Sequence, residues 1–91
     1  MGIEYTLRFQ YPDGAAITDV LRPLPFFRQM PGGQEFELRA KPSAGIPDAM
    51  MRVEPYGLYF CDNGSVCREM LGLIVARLVS RFGPVTIAEL E

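Results

Sequence analysis

The chain of 91 residues carries nine Lys and Arg against eleven Asp and Glu, a net charge of −2, with 48% of residues hydrophobic and 22% charged. That length supports a single domain (1–91) with one thin core. The charge balance excludes the clustered basic surface on which nucleic-acid binding depends, and the absence of histidine excludes imidazole acid–base chemistry, Ser-His-Asp and Cys-His catalysis and His-rich zinc sites.

The clearest predicted element comes first. Ile3, Tyr5, Leu7, Phe9 and Tyr11 alternate with Glu4, Thr6, Arg8 and Gln10, and a strict period of two predicts a strand with one apolar face. The pattern stops at Pro12-Asp13-Gly14, residue types that suit a hairpin turn and make 15–21 the returning strand. The same stretch, AAITDVL, also reads as a short helix halted ahead of Pro23. That alternative would give the ferredoxin-like order β-α-β-β-α-β.

The segment RPLPFFRQMPGG, 22–33, is irregular by composition, with Phe26, Phe27 and Met30 expected to pin it to the core edge. Next, Phe36, Leu38 and Ala40 alternate with Glu35, Glu37 and Arg39, a second strand. KPSAGIPD, 41–48, is a loop. Residues 50–61 read as strand again, broken at Pro55-Tyr56-Gly57, where proline and glycine signal an edge, a bulge or a second turn.

Residues 66–82 form the one long predicted helix. Cys67, Leu71, Ile74, Val75, Leu78 and Phe82 share an arc of about 100°, and Leu71 and Leu78 sit in its middle. Gly83-Pro84 ends it, glycine by taking the left-handed position and proline by being unable to continue. Val85 to Leu90 is a short final strand, expected parallel to 58–61 through a right-handed connection. The predicted class is α+β: a mostly antiparallel, mixed sheet of about four to five strands with the 66–82 helix across one face.

The two cysteines flank CDNGSVC, 61–67. A thiol at position 67, in a helical first turn, could be held as thiolate, with Cys61 as its resolving partner. The opposing reading makes Asp62-Asn63-Gly64 a turn, Ser65 the N-cap and Cys67 part of the apolar arc. With no histidine base and no Cys-x-x-Cys spacing, the turn is the better account, and a thiol enzyme using Cys67 is only a minor alternative. DNGSVCRE lacks the ligand spacing and closing Glu of a calcium loop. No phosphate-binding glycine loop occurs. Glu35, Glu37 and Glu54 are expected to pair across strands with Arg39 and Arg52 on a solvated face. An RNA-stacking sheet is disfavoured, because Tyr5, Phe9 and Tyr11 share the core face with Ile3 and Leu7.

No secretory leader is expected at the start, and the uncharged stretch Met70–Ala76 is far too short to span a bilayer. MGIEYT also fits the N-myristoylation pattern through Gly2 and Thr6, but these residues read as first strand. Free thiols without an export signal suggest the cytoplasm. The sequence therefore predicts a small cytoplasmic, non-enzymatic interaction module (adaptor, inhibitor or immunity-like), without cofactor or metal, meeting a protein partner or itself and neither nucleic acid nor membrane. A small-ligand-binding or regulatory domain is the alternative. The candidate contact patch is Val66, Leu73, Ala76 and Arg77, since Leu73 lies about 160° around the helix from Leu71 and one sheet cannot cover both. The competing account packs Leu73 under the loop near Phe26 and Phe27. A symmetric homodimer would let the patch meet itself.

Overall fold

The computed structural model describes residues 2–39, 45–63 and 67–90. In chain order the elements are β1 (Ile3–Arg8), α1 (Gly14–Leu21), β2 (Phe27–Gln29), β3 (Glu35–Leu38), β4 (Ala49–Glu54), β5 (Gly57–Asp62), α2 (Cys67–Phe82) and β6 (Thr86–Glu89). The strands form one six-stranded sheet in the order β2-β3-β4-β5-β1-β6. Every neighbouring pair is antiparallel. The class is α+β, as expected, but six strands replace the four to five predicted, and the sheet is not mixed. β6 runs in the direction of β5, yet β1 lies between them and pairs antiparallel with both.

Residues 15–21 are helix, not returning strand. Asp13 is extended (φ −161°, ψ 169°) and its side chain accepts a hydrogen bond from the Ala16 N–H at 2.9 Å. That is an N-cap, so the residues that suggested a hairpin turn start a helix instead. Ile17, Val20 and Leu21 are buried at the i, i+3, i+4 spacing of a helical stripe. The Thr18 hydroxyl, also buried, donates back to the Gly14 carbonyl at 3.1 Å.

The irregular segment hides β2, whose three residues are too few to show an alternation. Its anchor is Leu24, 4% exposed, rather than all three residues expected. Phe27 packs on Phe36 with ring centroids 5.5 Å apart, Met30 is half-buried, and Phe26 points out, with φ +66° and half its surface exposed. Pro55-Tyr56 is the turn between β4 and β5, the second-turn reading of that break. Gly57 closes it at φ +143°, and a Cβ there would overlap the Leu7 carbonyl and the Phe9 ring. Glycine is required by both conformation and space.

Inner-face residues run in rows across the strands. Phe36, Met51, Phe60 and Tyr5 are successive neighbours, as are Val53, Leu58, Leu7 and Ile87. Ile17, Val20 and Leu21 of α1 and Ile74 and Leu78 of α2 join this cluster, and α1 touches α2. Both helices therefore cover the same face. Along α2 the buried line is Ile74–Leu78, with Leu71, Val75 and Phe82 half-buried on one flank and Met70 and Arg77 on the other. Leu71 is thus not at the centre of the arc as expected. Gly83 ends the helix at φ +96°, its N–H donating to the Val79 carbonyl at 2.9 Å.

Leu78→Ala, at a site with no exposed surface, is expected to lose about 2–5 kcal/mol in denaturant unfolding, and Leu71→Ala clearly less. Gly57→Ala should be at least as damaging as Leu78→Ala, through strain rather than a cavity. Equal losses at positions 71 and 78 would contradict the helix orientation.

Candidate functional site

With both helices on one side, the other face of the sheet has no covering layer among the described residues. Period-two geometry puts every second residue there, and the registers set these side chains in rows. One row is Arg28, Glu37, Met50, Cys61 and Glu4; the next is Glu35, Arg52, Tyr59, Thr6 and Ala88; a third holds Glu54, Gly57, Arg8 and Thr86. Met50, Cys61, Tyr59 and Thr6 form an uncharged, soft group near the middle, with Ala88 on the edge strand β6 beside Thr6. Around it stand arginines 8, 28, 39 and 52 and glutamates 4, 35, 37 and 54, so the rim's formal charges cancel.

Tyr59 is the fixed point of this face. Its hydroxyl donates to a Glu4 carboxylate oxygen, and the Arg52 guanidinium lies 4.9 Å from its ring centroid. Arg52 is itself oriented by Glu54, Nε to Oε2 2.9 Å. The phenol's ionisation is pushed above the ordinary tyrosine range, first by partial burial, then by the hydrogen bond to Glu4 and by the nearby Cys61 thiol. Arg39 pairs with Glu37 at 3.0 Å. These ion pairs run along single strands at i, i+2, not across strands as expected. Across strands, Glu35 stands opposite Arg52, whose guanidinium its charge favours, and Arg28 stands opposite Glu37. Glu37 is 6% exposed, which corrects the solvated-face expectation for that residue.

At one end of the sheet, β1 runs on past the β4–β5 turn and the end of α2 approaches. An open cleft of about 670 Å³ lies there. Its rings are Phe9, Tyr11, Tyr56 and Phe82, and its stiff walls are Pro12, Pro55 and Pro84. Phe9 stacks on Phe82 with centroids 5.5 Å apart. The Tyr11 hydroxyl donates to the Glu54 carbonyl at 2.6 Å, and Arg8 lies 4.7 Å from the Tyr56 ring centroid. Burial, then the Glu54 charge, pushes the Tyr56 phenol upward, against Arg52 and Arg8.

Of the residues singled out beforehand, Cys61 is half-buried on the outer face, its thiol donating to Asn63 Oδ1 at 3.3 Å. The Cys67 side chain, Gly64, Ser65 and Val66 lie outside the described residues, so the thiol pair and the Ser65 cap cannot be assembled. Leu73 and Ala76 are exposed. Leu73 keeps 39% of its surface, which does not fit packing under the loop. Arg77 is half-buried, its Nε enclosed without a hydrogen-bond partner among the described residues. Sequence reasoning missed Tyr59 as an outer-face ring. The alternation of Leu58, Phe60 and Asp62 with Tyr59 and Cys61 held the signal, once Gly57 is taken as the strand's start. No described helix is long and apolar enough to cross a membrane. The described residues hold no metal-competent cluster of three or more His, Cys, Asp or Glu.

Comparisons with protein-family models, with curated proteins and with solved structures find no match to this chain.

A phenol pushed upward stabilises the fold at and below its ordinary value near ~10 and withdraws that support as pH rises past it. Alkaline titration followed by phenolate absorbance should therefore show a late component beyond the ordinary phenols, which Tyr59→Phe removes. The wild type should also lose stability above that pH more steeply than Tyr59→Phe.

Proposed function

We propose that this chain is a small, non-enzymatic interaction module that docks a protein partner on the outer face of its sheet. The observation that carries the reading is the Tyr59-centred patch, an uncharged middle within a rim of alternating charge. Protein interfaces have this anatomy, with charge depleted at the core and Tyr, Met and Arg enriched. The balanced rim suits a protein surface better than a phosphate backbone. We further read β1-α1-β4-β5-α2-β6, with the spatial order β4-β5-β1-β6, as a ferredoxin-like unit carrying the β2–β3 hairpin as an insertion. Such a fold implies no function by itself; its relevance is that the insertion widens the docking face. A cytoplasmic setting suits the free Cys61 thiol.

Photo-cross-linking inside the native host, from a benzophenone amino acid at position 50, tests the docking face. The expected result is a discrete protein adduct that Arg52→Glu abolishes while Cys61→Ser retains it. Absence of an adduct, or adducts indifferent to Arg52→Glu, would overturn the reading. A thermal shift with a metabolite but no protein adduct would favour a ligand-binding domain.

Self-association through α2 is a second, compatible reading, favoured by the exposure of Leu73 and Ala76 beside one another on the helix. Light scattering at micromolar concentration should then give a dimer mass for the wild type and a folded monomer for Leu73→Glu. A wild-type monomer at every concentration would eliminate it.

A further inference from the structure

We propose that the cleft at the sheet end binds a proline-rich peptide segment that carries an acidic side chain, at a site that adjoins the Tyr59 patch only at Arg8. Shape, hydrogen bonding and charge each lead to this ligand.

The cleft is open to solvent rather than enclosed. A small molecule is usually held by burying most of its surface in an enclosed pocket, whereas an extended segment needs only a groove. Tyr11, Tyr56 and Phe82 supply aromatic walls between rigid prolines, the surface on which polyproline II helices dock. Such a helix has no internal hydrogen bonds, so its carbonyls are free acceptors. Proline residues in the walls offer no N–H, so the donors come from the other lining residues. Arg8, Gln10 and the Tyr56 hydroxyl are placed to serve.

Charge selects the acidic feature. Arg8 is the one charged side chain lining the cleft among the described residues, and no carboxylate lines it. Unlike Arg22, Arg39 and Arg52, Arg8 has no ion pair among the described residues. It is held on the Tyr56 ring at 4.7 Å, with its charge still available. Arg81, 5.8 Å from the Phe82 ring centroid, adds a second positive charge next to a lining ring. A carboxylate on the incoming segment would find complementary charge at Arg8 and Arg81, with Glu54, paired to Arg52, the nearby carboxylate.

The test is a titration of isotope-labelled protein with a short polyproline peptide ending in glutamate, and with its counterpart ending in lysine, followed by amide chemical shifts. Shifts are expected at residues 8–11, at 56 and around 82–83, with positions 50–52 and 59–61 little changed. The glutamate peptide should bind about tenfold more tightly than the lysine peptide. Arg8→Gln should narrow that preference severalfold, chiefly by weakening the glutamate peptide. Tyr56→Ala should weaken both peptides, its fold being checked by thermal melting; should it unfold, the Arg8→Gln comparison decides alone. Equal affinity for the two peptides overturns the proposal, as does the absence of cleft shifts at millimolar peptide. Shifts confined to the Tyr59 face overturn it too. So does benzoate moving the cleft resonances when neither peptide does.

Discussion

Leu7 stands opposite Leu58, and Tyr5 opposite Phe60, because β1 and β5 pair in one register. Side chains alternate with a period of two, so a slip of one residue would turn Leu7 outward and bring Thr6 into the core. Two features hold the register. Leu7, Leu58 and Phe60 are fully buried under the helices, and Gly57 leaves room for the Leu7 carbonyl at the first pair of β5. Every other strand takes its position from these two: β4 and the β2–β3 hairpin extend from β5, and β6 from β1.

The same register composes the outer face. Once the apolar residues of β1 and β5 point to the helices, Thr6, Tyr59 and Cys61 must point away from them. Thr6 is nonetheless 6% exposed, without a covering layer. Its neighbours in the row are Tyr59 and Ala88, and the Tyr59 side chain, tethered at Glu4, cannot swing clear. A hydrogen bond at the ring's tip and a cation over its face restrict it from two directions, so Tyr59 loses little further freedom on meeting a partner.

The end of the sheet follows a different logic. There Pro12, Pro55 and Pro84 sit where the chain runs on past β1, turns between β4 and β5, and leaves α2. Proline is tolerated where a ladder hydrogen bond is no longer needed. Its presence at all three places gives the cleft stiff walls, while the Phe9–Phe82 stack joins β1's continuation to the end of α2. Local rules for ending strands and helices have, together, built a concave aromatic surface.

The first strand, the helix ending at Gly83 and the α+β class were legible in the sequence, because period-two and helical spacing are local properties of the chain. So was the chemistry excluded by the absence of histidine. The helix over 14–21 was legible only as an alternative, since Pro12-Asp13-Gly14 supplies residues for a turn and an N-cap alike. Which use prevails depends on whether Ile17, Val20 and Leu21 find a sheet to bury against. β2 was hidden by its brevity, and all-antiparallel pairing by the fact that spacing carries no strand order. Tyr59 as the centre of a face, Arg8 over Tyr56 and the cleft between three prolines were decided only by the tertiary structure. Each joins residues distant in sequence, and only the β1–β5–β4 register and the return of α2 bring them within reach.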